Sequence, residues 1–323
     1  MYIAFKAAVF FPIIESERDE EDGKMLLSTR RRRIRRAGMI FLFLTPALVF
    51  MIFSVYVPFG WNAVLSFQKW NGFSQPASVG FANFAAMFKD DVAVRSLLNS
   101  VTIALFSTLG AVVLGLLMSA FMYKISNKEG AIYRLILFLP VMLPTAVVGL
   151  LFTFVFNPEM GLLNNLLNAV GLNSWAHIWL QEKSTVIGCI IFVNIWKMSG
   201  LTMMLSYASM KMLPSSIFES SRIEGANYWH QYTRLILPLI KPTILMSTVY
   251  SLAVNFKSYD IVSVLTNGGP GTTSYTIPIN MMKTAFNFSE FGYAAAMGMV
   301  LALVVIIIVG IVTKVLKGET YEY

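Results

Sequence analysis

What this 323-residue chain lacks narrows it quickly. It has one cysteine, Cys189, so it can form no internal disulfide and offers no cysteine cluster to a metal. Inside an apolar run, that thiol reads as a small buried residue. It has two histidines, His177 and His230, too far apart in sequence to read as a metal centre or an acid–base pair, and no metal site is expected. Only 13% of its residues are charged, against about 25% in ordinary soluble domains. There is no Gly-x-x-x-x-Gly-Lys-Ser/Thr phosphate loop. The glycine-rich run Gly268 to Gly271 has no lysine at the required place and reads as a turn. No clustered reactive constellation is visible, so the chain is expected to be neither an enzyme nor the holder of a cofactor.

What is abundant is apolar surface, at 56% of residues. It is concentrated in runs of the length a membrane crossing needs, roughly 20 residues. Six spans are predicted, near 38–60, 97–122, 135–156, 184–210, 243–265 and 291–315. Strands of a membrane barrel are about half that length and alternate in polarity, so an all-α polytopic protein is expected, with kinks at Pro46, Pro58, Pro140 and Pro144. Residues 1–37 read differently. An acidic patch from Glu15 to Asp22 precedes the basic cluster Arg30 to Arg36, as in a flexible cytoplasmic leader, and Met25 is a candidate start. Residues 317–323 read as a short cytoplasmic tail.

The net charge of +8 would point to nucleic acid in a soluble protein. Here 18 of the 25 basic residues fall on one side of the predicted topology and five on the other. That bias marks the cytoplasmic side of a membrane protein. It predicts both termini inside, a plasma-membrane location and no nucleic-acid partner.

The longest internal cytoplasmic connection, 211–242, is built like structure. Pro214, Ser215 and Ser216 suit a helix start. Ile217, Ile223 and Phe218 offer an apolar stripe. Gly225 suits a stop or sharp bend, and a second helical run from Ala226 to Leu237 leads into Pro238. The pattern Glu219-Ser220-Ser221, then Glu224-Gly225-Ala226 and Leu235-x-Leu237-Pro238 resembles the "EAA" loop of bacterial ABC importer permeases, the binding-protein-dependent transport system inner membrane components. Serine replaces alanine at two positions and leucine replaces isoleucine at one. Trp70-Asn71-Gly72, Gly80-Phe81-Ala82-Asn83-Phe84, Leu265 to Ser274, Ala285-Phe286 and Phe291 to Ala295 are similar to the carbohydrate-uptake branch, of maltose- and glycerol-3-phosphate-permease type.

That resemblance implies a type I importer architecture covering the chain from about residue 38. It implies a short helix around Glu219 to Gly225 seated in a separate ATP-hydrolysing subunit. The implied partners are a second homologous permease, two ATPase subunits that bind the ATP and magnesium, and an extracellular or periplasmic solute-binding protein. The alternative is an ion-gradient-driven secondary transporter, which would want internal repeats and buried carboxylates. Asp260 is the one candidate for the latter.

Ionisable groups inside a membrane usually face a cavity or a partner. Asn194, Lys197, Asn255, Tyr259 and Asp260 are therefore candidates for a polar solute path. Lys257 and Asp260, three apart, can also meet on one helix face. Ala294, Gly298 and Ala302 recur every four residues in the last span, as at a helix–helix seam.

Overall fold

The computed structural model describes residues 39–316 apart from residue 126, and only the backbone of 127 and 128. The leader 1–37, the tail 317–323, the Met25 start and both termini lie outside the described residues. In chain order come α1 (Met39–Leu65), a hairpin of β1 (Gln68–Lys69) and β2 (Ala77–Ser78), α2 (Ala82–Lys89), α3 (Asp91–Lys124), α4 (Asn127–Met142), α5 (Thr145–Val155) and α6 (Leu162–Ala169). Next follow α7 (Val186–Lys211), α8 (Ser215–Ile223), α9 (Tyr228–Leu239), α10 (Lys241–Phe256), α11 (Asp260–Leu265), α12 (Ile277–Phe286) and α13 (Phe291–Leu316). The hairpin is antiparallel, pairing Gln68 with Ser78 and Lys69 with Ala77.

Four helices, α1, α3, α7 and α13, are long and apolar enough to cross a membrane unaided. The pairs α4–α5 and α9–α10 reach that standard only together, bent by 100° and 72°. The kink predicted at Pro144 in the third span is a full break, and the fifth span, where no kink is predicted, breaks as well. The α4–α5 bend falls at Leu143-Pro144. Pro144 has no N–H to continue the helix and disfavours helical backbone at the residue before it. The predicted fifth span is interrupted without any proline. Helix α10 ends at Phe256, Lys257 is its C-cap, and α11 restarts at Asp260. Lys257 and Asp260 thus do not share one helix face.

Two other prolines leave a subtler mark. Residues Ile52–Tyr56 and Gln231–Ile236 are π-helical, and each stretch ends two residues before a proline, Pro58 or Pro238. A proline cannot donate to the carbonyl four residues back. A local π turn moves the ladder past that gap without ending the helix. Helix α9 consequently runs through Pro238 to Leu239, beyond the end predicted for it.

Helices α3 and α7 form the spine. The buried residues of α3 include Ser96, Ser100, Ala104, Ser107, Ala111, Gly115 and Ser119, a stripe of small side chains at nearly four-residue spacing. Small residues let backbones approach. A Cβ on Gly115 would lie 2.6 Å from the Ser199 carbonyl oxygen of α7, and one on Gly200 would lie 2.2 Å from the Leu137 carbonyl oxygen of α4. In α13 the small stretch Ala294 to Ala296 is likewise buried, while Gly298 and Ala302 are only half-buried. Two apolar clusters bind these elements together. One gathers Val148, Phe152, Val193, Ile261 and Val262 around α5, α7 and α11. The other gathers Ala120, Met210, Phe218, Tyr232, Ile236 and Ile240 where α3, α7 and the connector meet.

Candidate functional site

The connector between α7 and α10 is a helix, a left-handed bend and a second helix. Pro214 precedes Ser215, the first helical residue of α8. At the other end the Gly225 N–H donates to the Arg222 carbonyl and the Ala226 N–H to the Ser221 carbonyl, both at 3.0 Å. This reciprocal pair is the Schellman closure. It places Gly225 at φ +80°, where a side chain would be strained. Asn227 then caps α9, its Oδ1 accepting the His230 N–H at 2.8 Å.

One side chain holds α8 to the bundle. Phe218 is 7% exposed. It stacks on Tyr123 of α3 with centroids 5.7 Å apart and joins the cluster at the feet of α3 and α7. Ile223, expected on the same stripe, is 88% exposed. It lies six residues from Ile217, which on a helix is the far side. Glu219, Ser220, Arg222 and Glu224 are also exposed, while Ser221 is half-buried with its hydroxyl on the Phe218 carbonyl at 2.9 Å. The free face of α8 therefore carries a carboxylate, hydroxyls and a bare isoleucine.

Helix α9 is fixed by two tyrosines that belong to none of the sequence motifs. The Tyr228 hydroxyl donates to the Ala120 carbonyl and that of Tyr232 to the Leu116 carbonyl at 2.6 Å. Lys124 sits 4.0 Å over the Tyr228 ring. The four-residue spacing of the two tyrosines was the available signal. Leu235 and Leu237 are half-buried and Pro238 is exposed. A polar notch of about 440 Å³ opens inside the bend, lined by Ser221, Glu224, Gly225, Ala226, His230, Arg234 and Leu235 among others.

The five candidate path residues divide between two places. Lys197, in mid-α7 and 6% exposed, donates from Nζ to the Thr145 hydroxyl at the start of α5. The break at Leu143-Pro144 thus delivers a polar partner to Lys197. Asp260, at the start of α11, is exposed and forms no ion pair with Lys197 among the described residues. Tyr259 itself is half-buried against the apolar cluster of α5, α7 and α11. Asn255 belongs elsewhere. Its Nδ2 donates to the Thr108 hydroxyl of α3 at 3.1 Å and to Ser251 at 3.2 Å. Buried Asn194 Nδ2 and Asn255 Oδ1 have no hydrogen-bond partner among the described residues. An orphaned polar atom in a protein interior is costly and calls for a partner such as water or a ligand.

Known proteins share both this sequence and this fold. The family model described as "Binding-protein-dependent transport system inner membrane component" matches residues 111–318. The chain is 35% identical over 266 residues to the "Probable ABC transporter permease protein YurN" of Bacillus subtilis, spanning 82% of this chain and 91% of that protein. It is 31% identical to the "Diacetylchitobiose uptake system permease protein NgcF" of Streptomyces coelicolor, spanning 88% and 84%. In fold it is similar to a chain of a bacterial ABC transporter involved in the import of the acidic polysaccharide alginate. That match has a TM-score of 0.75 at 23% identity and covers 88% of this chain and 97% of that one.

Proposed function

Since the chain belongs to the family of binding-protein-dependent transport system inner membrane components, we propose that it is the permease subunit of an ATP-driven importer whose solute is a carbohydrate. The uptake of diacetylchitobiose named for the Streptomyces relative supports that solute class. ATP hydrolysis, with its magnesium, belongs to a pair of partner subunits, and a second permease completes the pathway. An extracytoplasmic binding protein delivers the solute. The charge bias supports a cytoplasmic position for both termini and the connector. An ion-gradient mechanism is not favoured, because the family is binding-protein-dependent.

The observation that carries this reading is the division of labour on α8. Phe218 clamps its inner face to the feet of α3 and α7, and its outer face presents Glu219 and Ile223 to a partner. Exposed apolar surface beside charge is the composition of an interface. Closure of the ATPase pair pushes α8 as a rigid body, and the packed feet of the bundle pass the motion on, since packed interfaces switch between discrete arrangements. In the membrane, Lys197, with Thr145 and Asp260 at the two helix breaks, forms one polar station of the path. Asn194 and Asn255, with their unpaired amide atoms, offer further hydrogen bonds to hydroxyl-rich solutes.

Reconstitution in proteoliposomes with the ATPase and binding protein tests the coupling. Glu219→Lys is expected to abolish ATP-driven uptake while insertion and the helical content of the permease stay normal. Wild-type uptake by this variant refutes the coupling role of α8.

A further inference from the structure

We propose that the foot of the helix bundle carries a seat for the phosphate headgroup of an anionic phospholipid, built from Lys124, Arg134 and Lys211 on three tyrosine rings. The seat goes beyond the importer reading, which gives these cations no role. It shares with that reading only the orientation, in which the charge bias sets them at the cytoplasmic leaflet.

Lys124 is the last residue of α3 and Lys211 the last of α7. Each of these helices is long and apolar enough to span by itself, so both ammonium groups stand where a rod leaves the hydrocarbon. Lys124 lies over the Tyr228 ring. Lys211 reaches two rings, its Nζ 4.9 Å from the centre of Tyr123 and 5.6 Å from that of Tyr207. Arg134 of α4 takes the Tyr207 ring as well, with its guanidinium carbon 4.7 Å from the centre, and donates to the Tyr207 hydroxyl at 2.9 Å. Ring contacts of this kind hold a cation in place without cancelling its charge. Two cations thus share one tyrosine. None of the three is joined to a carboxylate in an ion pair among the described residues.

What this set lacks is an anion. Like charges gathered on neighbouring rings repel one another until a counter-charge joins them. Lys124 and Lys211 are exposed and Arg134 is half-buried, so their remaining N–H donors are open to a ligand. A phosphodiester brings a negative charge and several acceptor oxygens. Its depth identifies the source. Phe121, one turn before Lys124, and Trp229, next to Tyr228, are both exposed and meet edge to face at 5.9 Å. Bare aromatics at a helix foot belong to the belt at the membrane–water interface. A lipid with its headgroup on Lys124 lays its acyl chain along them, whereas a free phosphate leaves them uncovered. An acidic side chain of the ATPase fits less well. The Tyr123 ring under Lys211 stacks on Phe218, which is on the face of α8 turned toward the bundle. Basic pockets between spanning helices on the cytoplasmic side suit anionic headgroups.

The lysines themselves are the reporters. The complete importer is placed in phosphatidylcholine nanodiscs with increasing phosphatidylglycerol, and lysine acetylation is followed by peptide mass spectrometry. Lys124 and Lys211 are expected to be labelled in pure phosphatidylcholine and protected about fivefold or more by phosphatidylglycerol. Lys314, exposed at the foot of α13 and outside the cluster, is expected to stay labelled. Arg134→Gln is expected to raise the phosphatidylglycerol fraction for half-protection about fivefold, and Arg134→Lys, which keeps the charge, to restore it. Equal protection of Lys314 would overturn the seat in favour of general surface charge. Protection by inorganic phosphate in pure phosphatidylcholine would overturn it in favour of a free-anion site. Labelling already blocked in pure phosphatidylcholine would overturn it in favour of the ATPase as occupant. Lysines left unprotected by phosphatidylglycerol, or an unshifted Arg134→Gln curve, would overturn it outright. Binding-protein-stimulated ATP hydrolysis in the same nanodiscs reports on the importer reading separately, and its absence would remove that reading while the protected lysines kept the lipid seat.

Discussion

Replacing Phe218 with alanine tests whether one side chain holds α8, the proposed coupling helix, to the bundle. Helix α8 has nine residues, well below the length at which an isolated helix is stable in water. Ser215, Ser216, Glu219, Ser220, Arg222 and Ile223 are exposed, so its packing rests on Phe218, with Ile217 half-buried beside it. Phenylalanine-to-alanine changes in cores cost about 3–5 kcal/mol. The lower end applies here, because the site lies at the edge of the cluster and the connector can relax. A loss of about 3 kcal/mol lowers the docked-to-undocked ratio of α8 by roughly 100-fold. Two assays read this. Hydrogen exchange of the Ser215–Ile223 amides is expected to accelerate strongly, while the amides of α3 and α7 keep their protection. ATP-driven uptake in proteoliposomes is expected to fall at least tenfold, with ATP still hydrolysed. Unchanged exchange in α8 together with wild-type uptake would show that Phe218 is not the clamp.

Other perturbations separate the remaining parts. Ile223→Ala, on the free face at 88% exposure, is expected to leave α8 exchange unaltered yet weaken co-purification with the ATPase, by about 1 kcal/mol in a titration. At Gly225 a Cβ meets nothing within 4 Å but φ is +80°, so alanine costs about 1 kcal/mol from backbone conformation alone. Uptake is expected to fall in the order Gly, Asn, Ala, Val, since asparagine tolerates the left-handed region; equal uptake in all four would remove the bend from the mechanism. Lys197→Met takes away the donor to Thr145 while making α7 more apolar. Normal insertion with at least a tenfold lower initial rate of uptake is expected, and an unchanged rate would exclude Lys197 from the path. Gly200→Leu drives a side chain into the Leu137 carbonyl, and the purified protein is expected to lose thermal stability in a detergent melt.

The long apolar rods were legible because a crossing leaves a continuous signal of some 20 residues. The bend at Gly225 was legible because few residues other than glycine enter the left-handed region cheaply. The inner face of α8 was legible only in part, since Phe218 and Ile217 stood on the expected stripe but Ile223 is exposed, and the reason is physical. Phe218 is buried by Tyr123 and Met210, and the Tyr123 partner comes from nearly a hundred residues away, beyond any local pattern. Prolines announced the α4–α5 bend, but nothing at Lys257-Ser258-Tyr259 announced the end of α10, because neither glycine nor proline stands there. The Ser/Ala/Gly stripe of α3 was written at near four-residue spacing. It was masked by a helix apolar on all sides, which leaves no amphipathic contrast to read.

These pieces join into one mechanical route. Met210, near the end of α7, touches the cluster that holds Phe218. Lys197 lies on the same unbroken helix, about 20 Å away at 1.5 Å per residue. A straight helix transmits displacement along its axis with little loss. Under the coupling role proposed for α8, a push reaches the Lys197 region through Met210 and α7. That is where the break at Leu143-Pro144 sets Thr145. Thr145 opens α5 and Asp260 opens α11, and those two short helices pack on each other with Gly149 against Val264 and Ile261. Moving Lys197 away from Thr145 toward Asp260 exchanges one polar partner for another, so the ammonium need not be left bare in lipid, where an unpaired charge is expensive. The α5–α11 pair can then swing at its two breaks while the α3–α7 spine, locked by Gly115, stays intact. A double-mutant cycle of Lys197→Met with Thr145→Val, read in uptake rate, checks the first contact of this exchange. Strictly additive losses would mean that Lys197 and Thr145 do not act as a pair, and that the push is passed on by another route.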